Sequence, residues 1–444
     1  MKPELLSPAG TLKNMHFAFA YGADAVYAGQ PRYSLRVRNN DFKLENLQRG
    51  IDQAHALGKK LYLASNIAPH NTKIKTFLRD MEPVIAMGPD ALIMSDPGLI
   101  MMVRETWPDM PVHLSVQANA VNFATVKFWA KQGVERIILS RELSLDEIQE
   151  IREECPETEI EVFVHGSLCI AYSGRCLLSG YINKRDPNQG TCTNACRWQY
   201  QAHEAKETDS GDIIPVAQPE IVQPEIVQPT LGEGDTSGDI FLLQEKGRPD
   251  QYMPAFEDEH GTYIMNSKDL RAVQHVRRLT EMGIHSLKIE GRTKSFYYVA
   301  RTAQVYRKAI DDAVNGVPFD MGMMDNLEAL ANRGYTEGFY RRHVHDEYQN
   351  YETGNSRGSK QQFVGEVVES DDQTLTIDVK NRFETGDVVE LMTPAGNIAF
   401  NLEHIENRRG ESVDVAPGSG HVVKIPKPEG AQLGEHCLLV RHLP

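Results

Sequence analysis

The first 166 residues repeat one pattern, a short apolar run ending in a polar residue or glycine and then a stretch with helical spacing. Seven such runs occur: ELLSPAG (4–10), DAVYAGQ (24–30), KLYLASN (60–66), ALIMSD (91–96), VHLSVQ (112–117), RIILSR (136–141) and IEVFVH (160–165). Helical spacing fills residues 11–21, 44–57, 73–87, 122–132 and 144–154, and Ser144 with Glu147 has the form of a capping box. An eighth run, SLKIEG (286–291), stands after a long gap, between helical stretches at 267–282 and 294–314. Eight apolar runs alternating with helices predict parallel βα units, the number that closes a TIM-type (β/α)8 barrel. A doubly wound open sheet is the alternative. It calls for a glycine-rich phosphate turn after the first strand, which SPAGTLKN does not supply.

A barrel brings the C-terminal ends of its strands to one mouth, where barrel active sites lie. The residues there are Ser7, Gln30, Asn66, Asp96, Gln117, Arg141, His165 and Glu290, with Arg292 just beyond. Ser7 and Asp96 are also placed to cap the helices that follow.

Four of the six cysteines, Cys169, Cys176, Cys192 and Cys196, follow the seventh run with the spacing C-x6-C-x15-C-x3-C. Clustered thiols in a chain without disulfide context suit a soft metal, as structural zinc or as an iron–sulfur cluster. The alternative is burial as small apolar side chains, the expected state of Cys155 and Cys437.

Residues 201–260 carry fourteen acids and three bases, whereas residues 268–308 carry ten bases and three acids. A local basic face is thus compatible with the overall charge of −15, although a solvated helix face explains it equally. The near-repeat PVAQPEIVQPEIVQPT marks residues 199–262 as an acidic, flexible insertion. The predicted organisation is residues 1–198 as seven barrel units with the cysteine loop, 199–262 as insertion, 263–335 as the last barrel unit and closing helices, and 336–360 as linker. Six short alternating runs predict a small antiparallel β-barrel over 361–444. No run of about 18 apolar residues or apolar leader is present, so a cytoplasmic protein without a membrane partner is expected. No H-E-x-x-H or Walker sequence occurs, and GNSRG (354–358) does not follow a strand.

The central stretch resembles the signature of the collagenase-like peptidase family, historically peptidases of unknown catalytic type. Glu161, Phe163, Gly166, Ser167, Leu168, Cys169, Gly174, Cys176, Leu178 and Ser179 stand where that signature has them. The likeness extends through KPELLSPAGTLKNM, GPDALIMSDPG, HLSVQANA, SGYINKRDPNQGTCTNACRW and SLKIEGRTKSFYY. It implies a function that residue chemistry alone does not reach. The members this chain most resembles are required to convert the wobble uridine of tRNA to 5-hydroxyuridine without molecular oxygen, dependent on prephenate, while other members hydroxylate a ribosomal RNA cytidine or the ubiquinone ring. Family members carry an iron–sulfur cluster, of 4Fe–4S type, which falls on Cys169, Cys176, Cys192 and Cys196.

The resemblance thus implies a tRNA anticodon loop, prephenate and the iron–sulfur assembly machinery as partners. A base turned out of an anticodon loop would reach the barrel mouth. From position, Arg32, Arg36, Arg38, Lys184, Arg185 and Lys294 are candidates for phosphate contacts. Asn66, Asp96, Gln117, Arg141 and Arg292 are candidates for the substrate, and His165 and Glu290 for acid–base chemistry. A peptidase and a non-catalytic, metal-stabilised tRNA-binding factor are the competing readings.

Overall fold

The computed structural model describes residues 1–30, 32–34, 41–67, 69, 71–167, 269–330, 334–341 and 361–443, together with the backbone of short strands between 171 and 264. Eight parallel strands close into a barrel: β1 (Glu4–Pro8), β2 (Ala25–Gly29), β3 (Lys60–Ala64), β4 (Ala91–Met94), β5 (Val112–Leu114), β6 (Arg136–Ile138), β7 (Glu159–Ser167) and β8 (Ser286–Ile289). Strand β8 pairs in parallel with both β1 and β7, and this double pairing is the closure. The helices of the alternation are α1 (Leu12–Ala20), α2 (Leu44–Ala56), α3 (Asn71–Ala86), α4 (Pro97–Thr106), α5 (Phe123–Lys131), α6 (Leu145–Glu154), α7 (Val276–Glu281) and α8 (Phe296–Val314). Their starts are written in the sequence. Thr11, Asp96, Asn122, Ser144 and Ser295 each accept a hydrogen bond from a first-turn N–H, and Ser144 with Glu147 completes the capping box. The strands are buried on both faces because helices cover the outside while side chains of neighbouring strands, apolar and charged, fill the interior.

Two stretches differ from the sequence expectation. The insertion expected to be flexible carries a five-stranded antiparallel sheet, formed by Tyr200–Glu207, Ile213–Pro215, Ile240–Glu245, Tyr252–Asp258 and Gly261–Ile264. The Pro- and Gln-rich repeat dominated the composition and concealed apolar runs such as IFLLQE on either side of it. The helical stretch expected from residue 267 begins only at Val273, as a 3-10 turn that runs into α7 at Val276. Asp269–Arg271 instead adds antiparallel to β7, where Arg271 faces His165 in register.

The C-terminal domain is an open sheet, not the closed β-barrel expected from its strand count. Its seven strands are β9 (Gln361–Ser370), β10 (Thr374–Val379), β11 (Val388–Thr393), β12 (Gly396–Asn401), β13 (Glu406–Asn407), β14 (Val422–Pro426) and β15 (Leu438–His442), in the spatial order β12-β11-β15-β9-β10-β14-β13. Strands β12 and β13 lie at opposite edges with no pairing between them among the described residues. Alternation predicts a half-buried strand but says nothing of whether the first and last strands meet.

The domain docks on α1 and α8. Met392, Leu438 and Val440 join the barrel's hydrophobic core, and Phe363 stacks on Tyr297 with ring centroids 5.0 Å apart. The Tyr21 hydroxyl reaches the carbonyls of Met392 and His436. At the centre Arg301, fully buried, donates from Nη2 to Glu390 Oε1 at 2.7 Å. Removing one partner of a buried pair leaves an uncompensated charge, which costs about 3–5 kcal/mol, whereas apolar replacement of both partners is often neutral. Arg301→Ala is therefore expected to lower stability by about 3–5 kcal/mol in urea unfolding. The double variant Arg301→Met/Glu390→Leu is expected to recover most of that loss.

Candidate functional site

The barrel interior follows from strand alternation, in which every second residue points inward. Its lower half is ionic. Arg136 on β6 binds Glu4 of β1 at 2.6 Å, Glu159 at 2.7 Å and Glu161 of β7 at 3.3 Å, while Lys288 of β8 reaches the other oxygen of Glu161 at 2.8 Å. Tyr62 donates to Glu4, and its ring meets His113 edge-on at 4.7 Å. Burial pushes the Glu161 carboxyl up, but the combined pull of Lys288 and Arg136 outweighs it and holds the group below its ordinary range.

Above this floor lies the mouth. Tyr27 of β2, with the Lys288 ammonium 4.4 Å from its ring centroid, places its hydroxyl 3.2 Å from Glu290 Oε2 and 3.1 Å from the carbonyl of Ile289. Arg141 approaches the same Glu290 oxygen at 3.8 Å and lies 3.7 Å over the ring of Phe163. Arg292, almost buried, donates to the Ser34 hydroxyl at 2.8 Å. On the far side Asn66, Ser115 and Gln117 form one hydrogen-bonded run, with Asn66 Nδ2 3.4 Å from Ser115 Oγ and Ser115 Oγ donating to Gln117 Oε1 at 3.1 Å. Two guanidiniums, a carboxylate and amide groups thus ring the mouth, a set able to bind an anionic or hydrogen-bonding ligand and to move a proton at Glu290.

The other candidates fall elsewhere. Asp96 caps α4, accepting from Leu99 N at 2.9 Å. Arg32 is half-exposed and paired with Asp80 of α3, which also accepts from the Tyr33 hydroxyl. Lys294 lies 5.4 Å from the ring centroid of Tyr298. Arg36, Arg38, Lys184 and Arg185 lie outside the described residues. The basic segment around α7 and α8 is largely neutralised: Arg271, Arg277, Arg278, Lys288, Arg301, Arg307 and Lys308 all have acidic partners. Tyr27, Ser34 and Lys288 escaped the sequence reading, and Phe163 entered it only as a residue of the family signature, not as part of the mouth. The inward alternation of DAVYAGQ and SLKIEG was the signal that could have found Tyr27 and Lys288.

His165 is turned to the helical layer. Its ring packs against Tyr298 and Tyr306 of α8 and against Tyr335, at centroid distances of 5.8, 5.5 and 5.4 Å. The next residue, Gly166, has φ +100°, and a Cβ there would lie 2.4 Å from the Glu290 carbonyl oxygen. The Tyr306 hydroxyl donates to the Val164 carbonyl at 2.6 Å, so at 3.3 Å from the same oxygen His165 Nδ1 is the donor and Nε2 carries the lone pair. Burial, with Arg271 and Lys294 adding to it, pushes the imidazole down to about 3. The folded state therefore refuses a proton that the unfolded chain accepts below about pH 6.5, and stability falls as pH drops through that window. In an NMR titration the His165 ring signals are expected to stay unchanged from about pH 8 to about pH 4. A midpoint near 6.5 would show the ring to be solvated.

Among the described residues no group of three or more His, Cys, Asp and Glu side chains could hold a metal ion. Cys169, Cys192 and Cys196 lie outside the described residues, and only the backbone of Cys176 is described. The expectation of an iron–sulfur cofactor is not met: no ligand set for one is found among the described residues. Cys155 and Cys437 are buried, with thiols pushed up by that burial.

Residues 10–350 match the model of peptidase family U32, and residues 359–439 match that of its C-terminal domain. The chain is 67% identical over 442 residues to tRNA hydroxylation protein P of Escherichia coli (strain K12), covering 99% of this chain and 97% of that one. It is 65% identical to tRNA hydroxylation protein P of Haemophilus influenzae, covering 100% of this chain and 96% of that one. Identity to the protein of the same name from Helicobacter pylori (strain ATCC 700392 / 26695) is 38%, over 82% of this chain and 78% of that one. Both the barrel and the C-terminal domain are matched, and the chain belongs to peptidase family U32.

Proposed function

We propose that this protein is a tRNA-modifying enzyme that hydroxylates the wobble uridine to 5-hydroxyuridine. The observation that carries this reading is the 67% identity, across 99% of the chain, to a protein named for tRNA hydroxylation. In this reading an anticodon base leaves its stack and enters the barrel mouth. A loop base is the least costly to extrude, because it gives up little pairing. Arg141, Arg292, Asn66 and Gln117 hold the base and an anionic co-substrate, which on this reading is prephenate or a molecule derived from it. With molecular oxygen not used, that co-substrate both donates the oxygen atom and takes up the two electrons lost at the uridine C5. Glu290, placed between Arg141 and Tyr27, handles the proton. Arg32 and Lys294 contact phosphates once the RNA competes for them.

The family's name raises a peptidase as the second reading. A Ser–His–carboxylate relay does exist: Ser412 Oγ lies 3.4 Å from His404 Nδ1, and His404 Nε2 lies 3.1 Å from Glu406. It occupies an exposed hairpin of the C-terminal domain. A serine nucleophile needs an oxyanion hole and a site shielded from water, which such a hairpin does not offer.

No helix among the described residues is long and apolar enough to cross a membrane. The test is nucleoside mass spectrometry of tRNA from cells that lack the endogenous activity and carry this chain. Recovery of 5-hydroxyuridine is expected with the wild type. Arg292→Ala or Arg141→Ala is expected to cut the modification rate about 10- to 100-fold, the loss of one charge-assisted hydrogen bond. Modification unchanged in both variants would remove the barrel mouth from the mechanism, and no modification by the wild type would sink the reading.

A further inference from the structure

The C-terminal domain is acidic. Residues 361–444 hold fourteen Asp and Glu against seven Lys and Arg, a net of −7. Lys380, Arg382 and Arg441 are spent on neighbouring acids, Asp378, Glu384 and Asp387. Arg408, Arg409 and Lys424 are exposed, with no ion pair among the described residues. The three lie together at one sheet edge. Lys424 of β14 faces Glu406 of β13 in register, Asn407 faces Val423, and Arg408 and Arg409 form the tip that follows.

That tip is built to hold its shape. Asn407 Oδ1 accepts from Arg409 N at 2.8 Å and from Glu411 N at 3.1 Å, and its carbonyl accepts from Gly410 N at 3.0 Å. Gly410 takes φ +75°, the left-handed conformation that closes the turn. The two flanking acids are engaged elsewhere: Glu411 accepts from Asn407 Nδ2 at 2.8 Å, and Glu406 is held by His404. Neither neutralises the guanidiniums. The domain meets the barrel through β9, β11 and β15, whereas β13 is the edge three strands beyond β9.

We propose that the Arg408–Arg409 turn, with Lys424, is a second RNA contact, gripping backbone phosphates of the tRNA body while the barrel mouth takes the anticodon loop. This rests on the tRNA reading above. Guanidinium forks match phosphate oxygens, and a preformed turn lowers the cost of ordering them. A protein partner would need an apolar or aromatic anchor at the centre of the contact. Asn407, Gly410, Glu411 and Ser412 supply none, and phosphates require none.

The experiment measures binding of full-length tRNA and of its isolated anticodon stem–loop to the full chain at several salt concentrations, for the wild type and Arg408→Ala/Arg409→Ala. Both residues are exposed, and an unchanged urea midpoint confirms that the variant is folded. The variant is expected to bind tRNA about tenfold more weakly at low salt, with a salt slope shallower by about 1 to 2, and to bind the stem–loop like the wild type. Arg408→Lys/Arg409→Lys is expected to restore most of the slope. Equal tRNA affinity and slope in wild type and Ala variant would overturn the contact. Equal weakening on the stem–loop would overturn its placement on the tRNA body. A wild type that binds neither RNA would instead strike the tRNA reading itself.

Discussion

Glu161 ties the molecule together. Fully buried on β7, it stands between Arg136 of β6 and Lys288 of β8. Arg136 in turn holds Glu4 of β1, so four of the eight strands share one ionic lattice across the barrel axis. Such a lattice is a poor source of net stability, because desolvating the charges consumes most of what their attraction returns. What it provides is register. A one-residue slip of β7 would turn Glu161 out of the interior and leave Lys288 buried without its counter-ion, while Arg136 would keep only Glu4. The mouth residues are placed by the same strands two or more positions further on, so the positions of Arg141, Phe163, Glu290 and Arg292 depend on that alignment.

The barrel was legible in the sequence because its signal is repetitive. Eight apolar runs, each followed by helical spacing, admit few architectures, and the caps at Thr11, Asp96, Asn122, Ser144 and Ser295 mark where helices begin. The mouth was legible in part. Strand-end polar residues found Arg141, Glu290, Arg292, Asn66 and Gln117, yet the same criterion swept in Asp96, whose carboxylate caps α4. It also gave no direction for His165. In β7 the pairing jumps from Lys288–Phe163 to Ile289–His165, and this irregularity spoils the alternation that would have told inward from outward.

Closure of the small domain and the fold of the insertion were not legible, for a shared reason. Both depend on which strand edges meet, and local alternation is silent about partners far along the chain. The excess of bases near the last barrel strand left a basic face and a solvated helix face both open, for another reason. Counting charges along the sequence cannot register that Arg278 spends its charge on Asp146, Arg301 on Glu390 or Arg307 on Asp24, each distant in sequence. Where charge remains open, at Arg408 and Arg409, the sequence count for that domain is negative.

The close approach of Gly166 to Glu290 bears on how such a chain can drift. Every single-base change that alters a glycine codon brings in a side chain or stops translation, and any Cβ here meets a carbonyl oxygen 2.4 Å away while the backbone keeps φ +100°. No neighbouring codon is a tolerable stepping stone. Lineages that re-purpose this mouth for another substrate can exchange the groups around its rim one at a time, but residue 166 stays fixed unless the exit of β7 is rebuilt together with it.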